Sequence, residues 1–316
     1  MSINIRNGLL KAIDNYMRYG VLNSKIYIPS TIYLEVTNFC NSDCVMCPNS
    51  SLIRERGYMS WDLFKKIIGE CKKFENDVDG LTFYLHWIGE PLLDSLLFER
   101  ISYIKGHIKK SKISLNTNGS LLDEDKAKKL IDSGIDEITF SVDGTNSYSY
   151  DNIRKGLKYS IVENNINRYF ELKEKYNKKI YTILQMVVYG ENMNESDEFK
   201  RLWNNKADLV YIKSAHNFLD MNTSIKTKTL SSTQLYKCRQ PYDFMLIYWN
   251  GDVGSCCWDY DNFAKVGNVR SNSLLEIYNN KKFRKIRHSM DNMNCKDIVP
   301  CYRCSQIYGE DIQCTR

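Results

Sequence analysis

The chain has few histidines, no long apolar run and no large excess of charge of one sign. Four histidines in 316 residues leave little material for His-rich metal centres. No uninterrupted apolar stretch of about 18 residues occurs, and Arg6, Lys11, Asp14 and Arg18 break up the N-terminal segment, so neither an export leader nor a membrane span is expected. Lysine and arginine number 44 against 38 acidic residues, a formal charge of +6. That excess is spread through Lys/Asn-rich helical stretches and forms no basic block, which argues against a nucleic-acid partner. No solenoid-period repeat and no low-complexity segment is present. At 43% hydrophobic and 26% charged residues, the composition is that of an ordinary globular protein and excludes disorder and collagen-like repeats. A cytoplasmic protein without membrane or nucleic-acid partners is the expectation.

What the chain does have is cysteine. Eleven are present, an odd number without a leader, which favours reduced, metal-binding or reactive thiols over a disulfide framework. They are unevenly placed. Cys40, Cys44 and Cys47 form one tight group, Cys71 stands alone, and Cys238, Cys256, Cys257, Cys295, Cys301, Cys304 and Cys314 crowd the last quarter. Two metal centres in two domains is the simplest reading.

Between these groups strand-like and helix-like segments alternate. After a helical stretch at 7–19, strands are expected at 31–37, 81–86, 113–116, 138–142, 180–188 and 209–213. Helices are expected between them at 60–74, 93–109, 123–133, 148–176 and 195–205, with Ser60 as an N-cap. Six mostly apolar strands alternating with helices imply a parallel sheet covered by helices. Periodicity does not separate a doubly wound sheet from a barrel, and the distribution of special residues helps. Cys40, Cys44 and Cys47, then Gly89-Glu90, Thr117-Asn118-Gly119 and Asp143-Gly144 all follow strands. That is the face on which α/β barrels build active sites. Past residue 215 the pattern changes. A polar linker at 222–233 leads to β-like runs at 244–249 and 253–257 joined by Asn250-Gly251-Asp252, a hairpin signal, and then to a helix at 273–287.

Three thiolates at C-x3-C-x2-C spacing, with no histidine near the loop, suit a cubane iron–sulfur cluster with one iron left open. A zinc site, which takes four ligands or recruits His, fits less well. The motif after the first of six β/α units resembles the signature of the radical S-adenosylmethionine (radical SAM) superfamily. The resemblance implies a partial (β/α)6 TIM barrel and a [4Fe–4S] cluster on Cys40, Cys44 and Cys47 whose open iron binds SAM. It also implies reductive cleavage of SAM to a 5′-deoxyadenosyl radical that takes a hydrogen atom from substrate, with a reducing partner such as flavodoxin or ferredoxin. Met46 stands where the superfamily often has an aromatic residue beside the adenine, and a thioether keeps a favourable ring contact. Gly89-Glu90 resembles the "GGE" element that receives the SAM amino group, with Ile88 in place of its first glycine. Ser141 and Asp143 resemble the segment that holds the ribose and carboxylate of SAM, with Arg154 in the next helix as a carboxylate partner. Asn118 and Gln185 are further candidates for the SAM or substrate pocket.

Cys238, then Gly251 and Cys256, resembles the opening of the SPASM and "twitch" auxiliary-cluster domains, so the resemblance covers about residues 31–316. The later cysteines depart from the full pattern: Asn292 stands where one is expected, and Cys295, Cys301, Cys304 and Cys314 follow. A second, auxiliary [4Fe–4S] cluster on Cys238, Cys256, Cys301 and Cys304, in a small C-terminal α+β domain, is the economical reading. Cys295 and Cys314 are then spare or part of an incomplete second site, and a structural zinc is the alternative. The expected division is 1–30, an N-terminal helical segment; 31–215, the barrel; and 216–316, the auxiliary domain. If 253–257 is a strand, Cys256 and Cys257 point to opposite faces, and Cys257 is free to face the substrate. Residues 255–259 resemble the sequence of carbohydrate-modifying members, in which a thiol returns a hydrogen atom. Epimerisation of a sugar or aminoglycoside carbon with Cys257 as donor is therefore the leading expectation. The alternatives are dehydrogenation of a sugar or aminocyclitol alcohol through the auxiliary cluster, modification of a ribosomal peptide, and a non-enzymatic zinc-binding module. Lys213 and His216, at the end of the sixth strand, are candidates to touch substrate.

Overall fold

The computed structural model describes residues 3–215, 236–299 and 301–304. His216, the linker at 222–233 and Cys314 lie outside the described residues. Helix α1 (Ile3–Tyr19) precedes the first strand, β1 (Thr31–Leu34). The chain then runs α2 (Trp61–Phe74), β2 (Leu81–Tyr84), α3 (Leu97–His107), β3 (Ser111–Thr117), α4 (Glu124–Asp132) and β4 (Glu137–Ser141). Next come α5 (Ser147–Ile153), α6 (Tyr159–Lys175), β5 (Tyr181–Val188), α7 (Ser196–Trp203) and β6 (Leu209–Ser214). Strands β1 to β6 pair in parallel in chain order, as expected of a (β/α)6 partial barrel.

Strand alternation decides which side chains meet the helices and which enter the lumen. Ile32 and Leu34, Phe83, Ile113 and Leu115, Ile138 and Phe140, and Leu184 and Met186 are fully buried in the layer between sheet and helices. Each such side chain contributes about 1.5–3 kcal/mol on leaving water. The intervening positions, among them Tyr33, Tyr84, Asn116, Ser141 and Gln185, occupy the opposite face. Helix starts are set locally: the Ser60 hydroxyl accepts from the Leu63 N–H, and Asp123 caps α4 through the Lys126 N–H.

Three sequence expectations need correction. The helix expected over 148–176 is two helices, because Arg154 and Lys155 leave the helical path to pair antiparallel with Cys44 and Asp43. Gly156, at φ +90°, makes the turn back into α6. Arg154 is therefore not a helical residue. The helix expected over 273–287 is also two, α8 (Leu274–Tyr278) and α9 (Lys281–Asp291), since Asn280 caps the second through the Phe283 N–H. The second hairpin strand stops short of the cysteines. Strands β7 (Phe244–Ile247) and β8 (Asp252–Gly254) turn at Gly251, φ +91°, and Cys256 and Cys257 follow in a loop and turn. Cys256 and Cys257 therefore do not alternate between faces as strand neighbours do.

Among the described residues the C-terminal segment builds no sheet of its own. β7 pairs in parallel with β1, Thr31 opposite Phe244 and Leu34 opposite Ile247. The hairpin and the short β9 (Gly267–Asn268) thereby extend the barrel sheet in the order β9-β8-β7-β1-β2-β3-β4-β5-β6. This places the C-terminal cysteines beside the barrel wall.

Candidate active site

The loop after β1 is tied down before it reaches the cysteines. Asn38, fully buried, donates from Nδ2 to the Glu55 carbonyl (2.8 Å) and accepts the Gly57 N–H on Oδ1 (2.8 Å). Arg56 clamps the Asn38 and Asn49 carbonyls at 3.0 and 2.6 Å. On this frame Cys40, Cys44 and Cys47 line one cleft of about 190 Å³, together with Met46, Gly89, Glu90, Asn118, Ser141 and Arg154. His86, Trp87, Asn116 and Thr117 complete much of the wall. Of the sequence candidates for this pocket, Asp143 and Gln185 are not on the wall. Asp143 lies behind it, and Gln185 occupies the lumen face of β5 opposite Tyr211.

Gly89 is required by close approach. Its φ is +151°, and a Cβ there would stand 2.5 Å from the Thr37 carbonyl and 2.9 Å from that of Phe39. The Glu90 N–H donates to the Phe39 carbonyl at 2.8 Å, fixing the second strand-end loop on the first. Gly89→Ala is expected to cost about 3 kcal/mol and to reduce iron retention on reconstitution, read by thermal melting and iron analysis. Unchanged melting and iron content would refute this role of Gly89.

Glu90 is buried and accepts from the Thr117 hydroxyl (2.6 Å), the Asn118 N–H (2.8 Å) and the Leu92 N–H (3.1 Å). Burial pushes its carboxyl above the usual range against these bonds; a nearby ammonium would restore the ionised form. Asn118 bonds the cysteine loop through Asn41, Nδ2 to Oδ1, at 2.9 Å. Arg154 meets Asp143 through Nε at 2.8 Å and Nη2 at 2.7 Å. Burial works against its charge, but Asp143 and Cys44 outweigh burial and hold the guanidinium protonated. Asp143 is held in turn by the Val187 N–H at 2.7 Å.

Burial pushes the Cys40 thiol up to about 11 and the Cys47 thiol up to about 12, so both are neutral until a metal supplies the charge that ionises them. Among the described residues no three Cys, His, Asp or Glu side chains gather about a single ion position. Three thiols along one cleft wall suit a cubane, where each binds its own iron, better than one zinc ion. The residues present fit a [4Fe–4S] cluster with an open side.

The C-terminal thiols also converge, and Cys295, which the sequence leaves open, lies among them. Cys301 feels the charges of Cys256, Cys295, Cys304 and Cys238, and Cys238 feels Cys256, Cys304 and Cys295. Cys295 and Cys304 are buried with Met290, against Cys238, Cys301, Tyr242 and Trp258. Cys295 thus packs beside the other thiols, a position that the sequence leaves open between a spare thiol and part of an incomplete second site. Cys257 is not in this group. It is buried with Phe244, Leu246 and Tyr248, against Tyr33, Trp87 and Trp258, while its thiol also interacts with that of Cys256. Cys71 is fully enclosed in the helix layer, as its place on α2 suggests.

Residues 34–202 match the radical SAM superfamily, and residues 238–305 match SPASM, an iron–sulfur cluster-binding domain. The chain is 25% identical to a tungsten-containing aldehyde ferredoxin oxidoreductase cofactor-modifying protein of Pyrococcus furiosus, covering 90% of this chain and 91% of that one. It is 22% identical to an S-adenosyl-L-methionine-dependent 2-deoxy-scyllo-inosamine dehydrogenase of Niallia circulans, covering 88% and 93%. Among solved structures, BtrN in complex with AdoMet and 2-DOIA superposes with a TM-score of 0.58 at 20% identity, covering 84% and 88%. SuiB of Streptococcus suis bound to the precursor peptide SuiA gives 0.64 at 14% identity, covering 88% and 70%. No described helix is long and apolar enough to cross a membrane. With the superfamily match spanning more than half of the chain, and SPASM implying auxiliary clusters beside the SAM-binding one, this protein belongs to the radical SAM superfamily.

Proposed function

We propose that this radical SAM enzyme oxidises an alcohol carbon of a sugar-like or aminocyclitol substrate. When bound, SAM on the first cluster supplies a hydrogen-abstracting 5′-deoxyadenosyl radical, and an auxiliary cluster supplies an acceptor for the electron left on the substrate. Cys40, Cys44 and Cys47 would hold the first cluster. Glu90 would accept the SAM amino group, Arg154, held by Asp143, would face its carboxylate, and Met46, Asn118 and Ser141 would line its remaining surface. Cys238, Cys256, Cys301 and Cys304 would hold the auxiliary cluster, with Cys295 close by. The division we propose is 1–30, 31–215 and 216–316, although the last segment shares the barrel sheet.

The observation that carries the reading is the position of Trp258. It packs on Cys295 and Cys304 on one side and on the lumen group of Phe244, Leu246, Tyr248 and Cys257 on the other. The auxiliary thiols therefore adjoin the space next to the first cluster. The similarity to a dehydrogenase over most of both chains supports the same chemistry.

A second reading, epimerisation, is favoured by Cys257 alone, a buried thiol on the lumen aromatic group. The two are separated in D2O with Cys257→Ala as control. Oxidation predicts a product lighter by two hydrogens, no deuterium on carbon, and turnover by Cys257→Ala within about threefold of the parent. One deuterium on carbon, with inversion lost in Cys257→Ala, would establish epimerisation instead.

A further inference from the structure

The lumen holds more hydrogen-bond donors than its own acceptors use. His86 is 8% exposed, and its Nδ1 accepts the Asn116 N–H at 3.0 Å. A ring nitrogen that accepts from an amide carries no proton, so the imidazole bears its proton on Nε2. Burial and the charge of Lys213 hold His86 down at about 3, consistent with that neutral tautomer. The ring sits edge-on to the stacked pair Tyr33 and Tyr84, 5.7 and 5.6 Å from their centroids, and lines the cleft. Its Nε2–H has no partner among the described residues.

Two further donors share this space. Trp87 lines the same cleft, and its Nε1–H is buried with no partner. Lys213 lies opposite Val187 in the β5–β6 register, on the same face as Tyr211. It is near enough to His86 to disfavour a second positive charge there, and it has no ion-pair partner among the described residues. The neighbouring carboxylates are already matched. Glu90 takes three donors, Asp143 takes Arg154 and the Val187 N–H, and Glu137 takes Lys112 and Ser114.

We propose that His86, Trp87 and Lys213 bind an oxyanion of the substrate, a carboxylate or a phosphate, so that the enzyme acts on an anionic sugar and not on a neutral or cationic polyol. Two neutral N–H donors and one ammonium, with no free acceptor among them, are complementary to such a group and leave a substrate ammonium unpartnered. The inference rests on the reading of the substrate as sugar-like, but not on the oxidation chemistry.

The test is calorimetric titration of the anaerobically reconstituted holoenzyme, saturated with SAM, with glucose 6-phosphate, glucuronate, glucose and glucosamine. At least one of the two anions is expected to bind about tenfold or more tighter than glucose or glucosamine, and the tighter of the two identifies phosphate or carboxylate as the source. Lys213→Met is expected to remove about tenfold of that affinity and Lys213→Arg to keep most of it. Trp87→Phe, which keeps a ring and deletes the N–H, is expected to weaken the anion several-fold. Failure of both anions to bind, equal binding of glucose, or indifference of anion binding to Lys213→Met would overturn the proposal. Titration needs no turnover, so Lys213-dependent anion binding by an enzyme that oxidises nothing would refute the oxidation reading and leave the anchor standing.

Discussion

Cys44→Ala protein, reconstituted anaerobically with iron and sulfide, is expected to keep about four of roughly eight irons and to form no 5′-deoxyadenosine above background when reduced with SAM. The position of Cys44 explains the size of the effect. Its backbone pairs with Arg154, and its thiol lies 3.1 Å from the Ser42 hydroxyl, so the cysteine that would bind iron also joins the cleft's two walls. With two thiols left on the cleft, a cubane has no third anchor. Cys71→Ala is the matched control. That thiol is sealed among apolar side chains of the helix layer, and its removal is expected to leave iron content and SAM cleavage intact while costing about 1–2 kcal/mol in stability. Full iron in Cys44→Ala, or equal loss in Cys71→Ala, would show that the cluster is held elsewhere.

The second large effect concerns Asp143, which stands behind the cleft wall and reaches it only through Arg154. It is fully buried, and its carboxylate engages both Arg154 and the Val187 N–H. Asp143→Ala leaves a buried guanidinium without its counter-charge, which costs about 3–5 kcal/mol. In a protein of this size that corresponds to a fall in melting temperature of roughly 5–10 °C. Arg154 is also released from the position in which it faces the cleft, so the KM for SAM is expected to rise about tenfold or more. A melting temperature within about one degree of the parent would contradict the paired-burial account. A large stability loss with unchanged KM for SAM would confine Asp143 to a structural role.

Much of this was legible in the sequence because it is local. Three cysteines in one loop, a hairpin marked by Asn250-Gly251, and special residues following successive strands carry their meaning within short windows. What escaped was long-range. Nothing in the helical pattern of 148–176 reveals that Arg154 and Lys155 pair with residues 43–44 more than a hundred positions earlier, so the break is a tertiary override of local propensity. The pairing of β7 with β1 joins segments about two hundred residues apart, and with the bonds of Arg54 to Tyr260 and of Ile53 to Asp261 it brings the auxiliary thiols to the barrel wall. The sequence leaves the place of Cys295 open, because spacing motifs describe neighbours in sequence, whereas the thiols it packs near, Cys238 among them, come from a different part of the chain. The lumen donors did leave a signal. Tyr84 and His86 alternate with the buried Phe83 and Leu85, which assigns them to the other face, but only the strand order shows that this face encloses the cleft. Trp87 interrupts the alternation at the strand end, and its unpartnered N–H is a property of packing that no window of sequence contains.

The most direct test of the central claim, reductive SAM cleavage coupled to substrate oxidation, is the 5′-deoxyadenosine balance. Holoenzyme, SAM and a chemical reductant are incubated anaerobically with an anionic sugar that binds in the titration above, and 5′-deoxyadenosine and oxidised sugar are counted together. The account predicts one 5′-deoxyadenosine for each product molecule lighter by two hydrogens. An iron-loaded protein that forms no 5′-deoxyadenosine under reduction, or that forms oxidised sugar without it, would contradict the account.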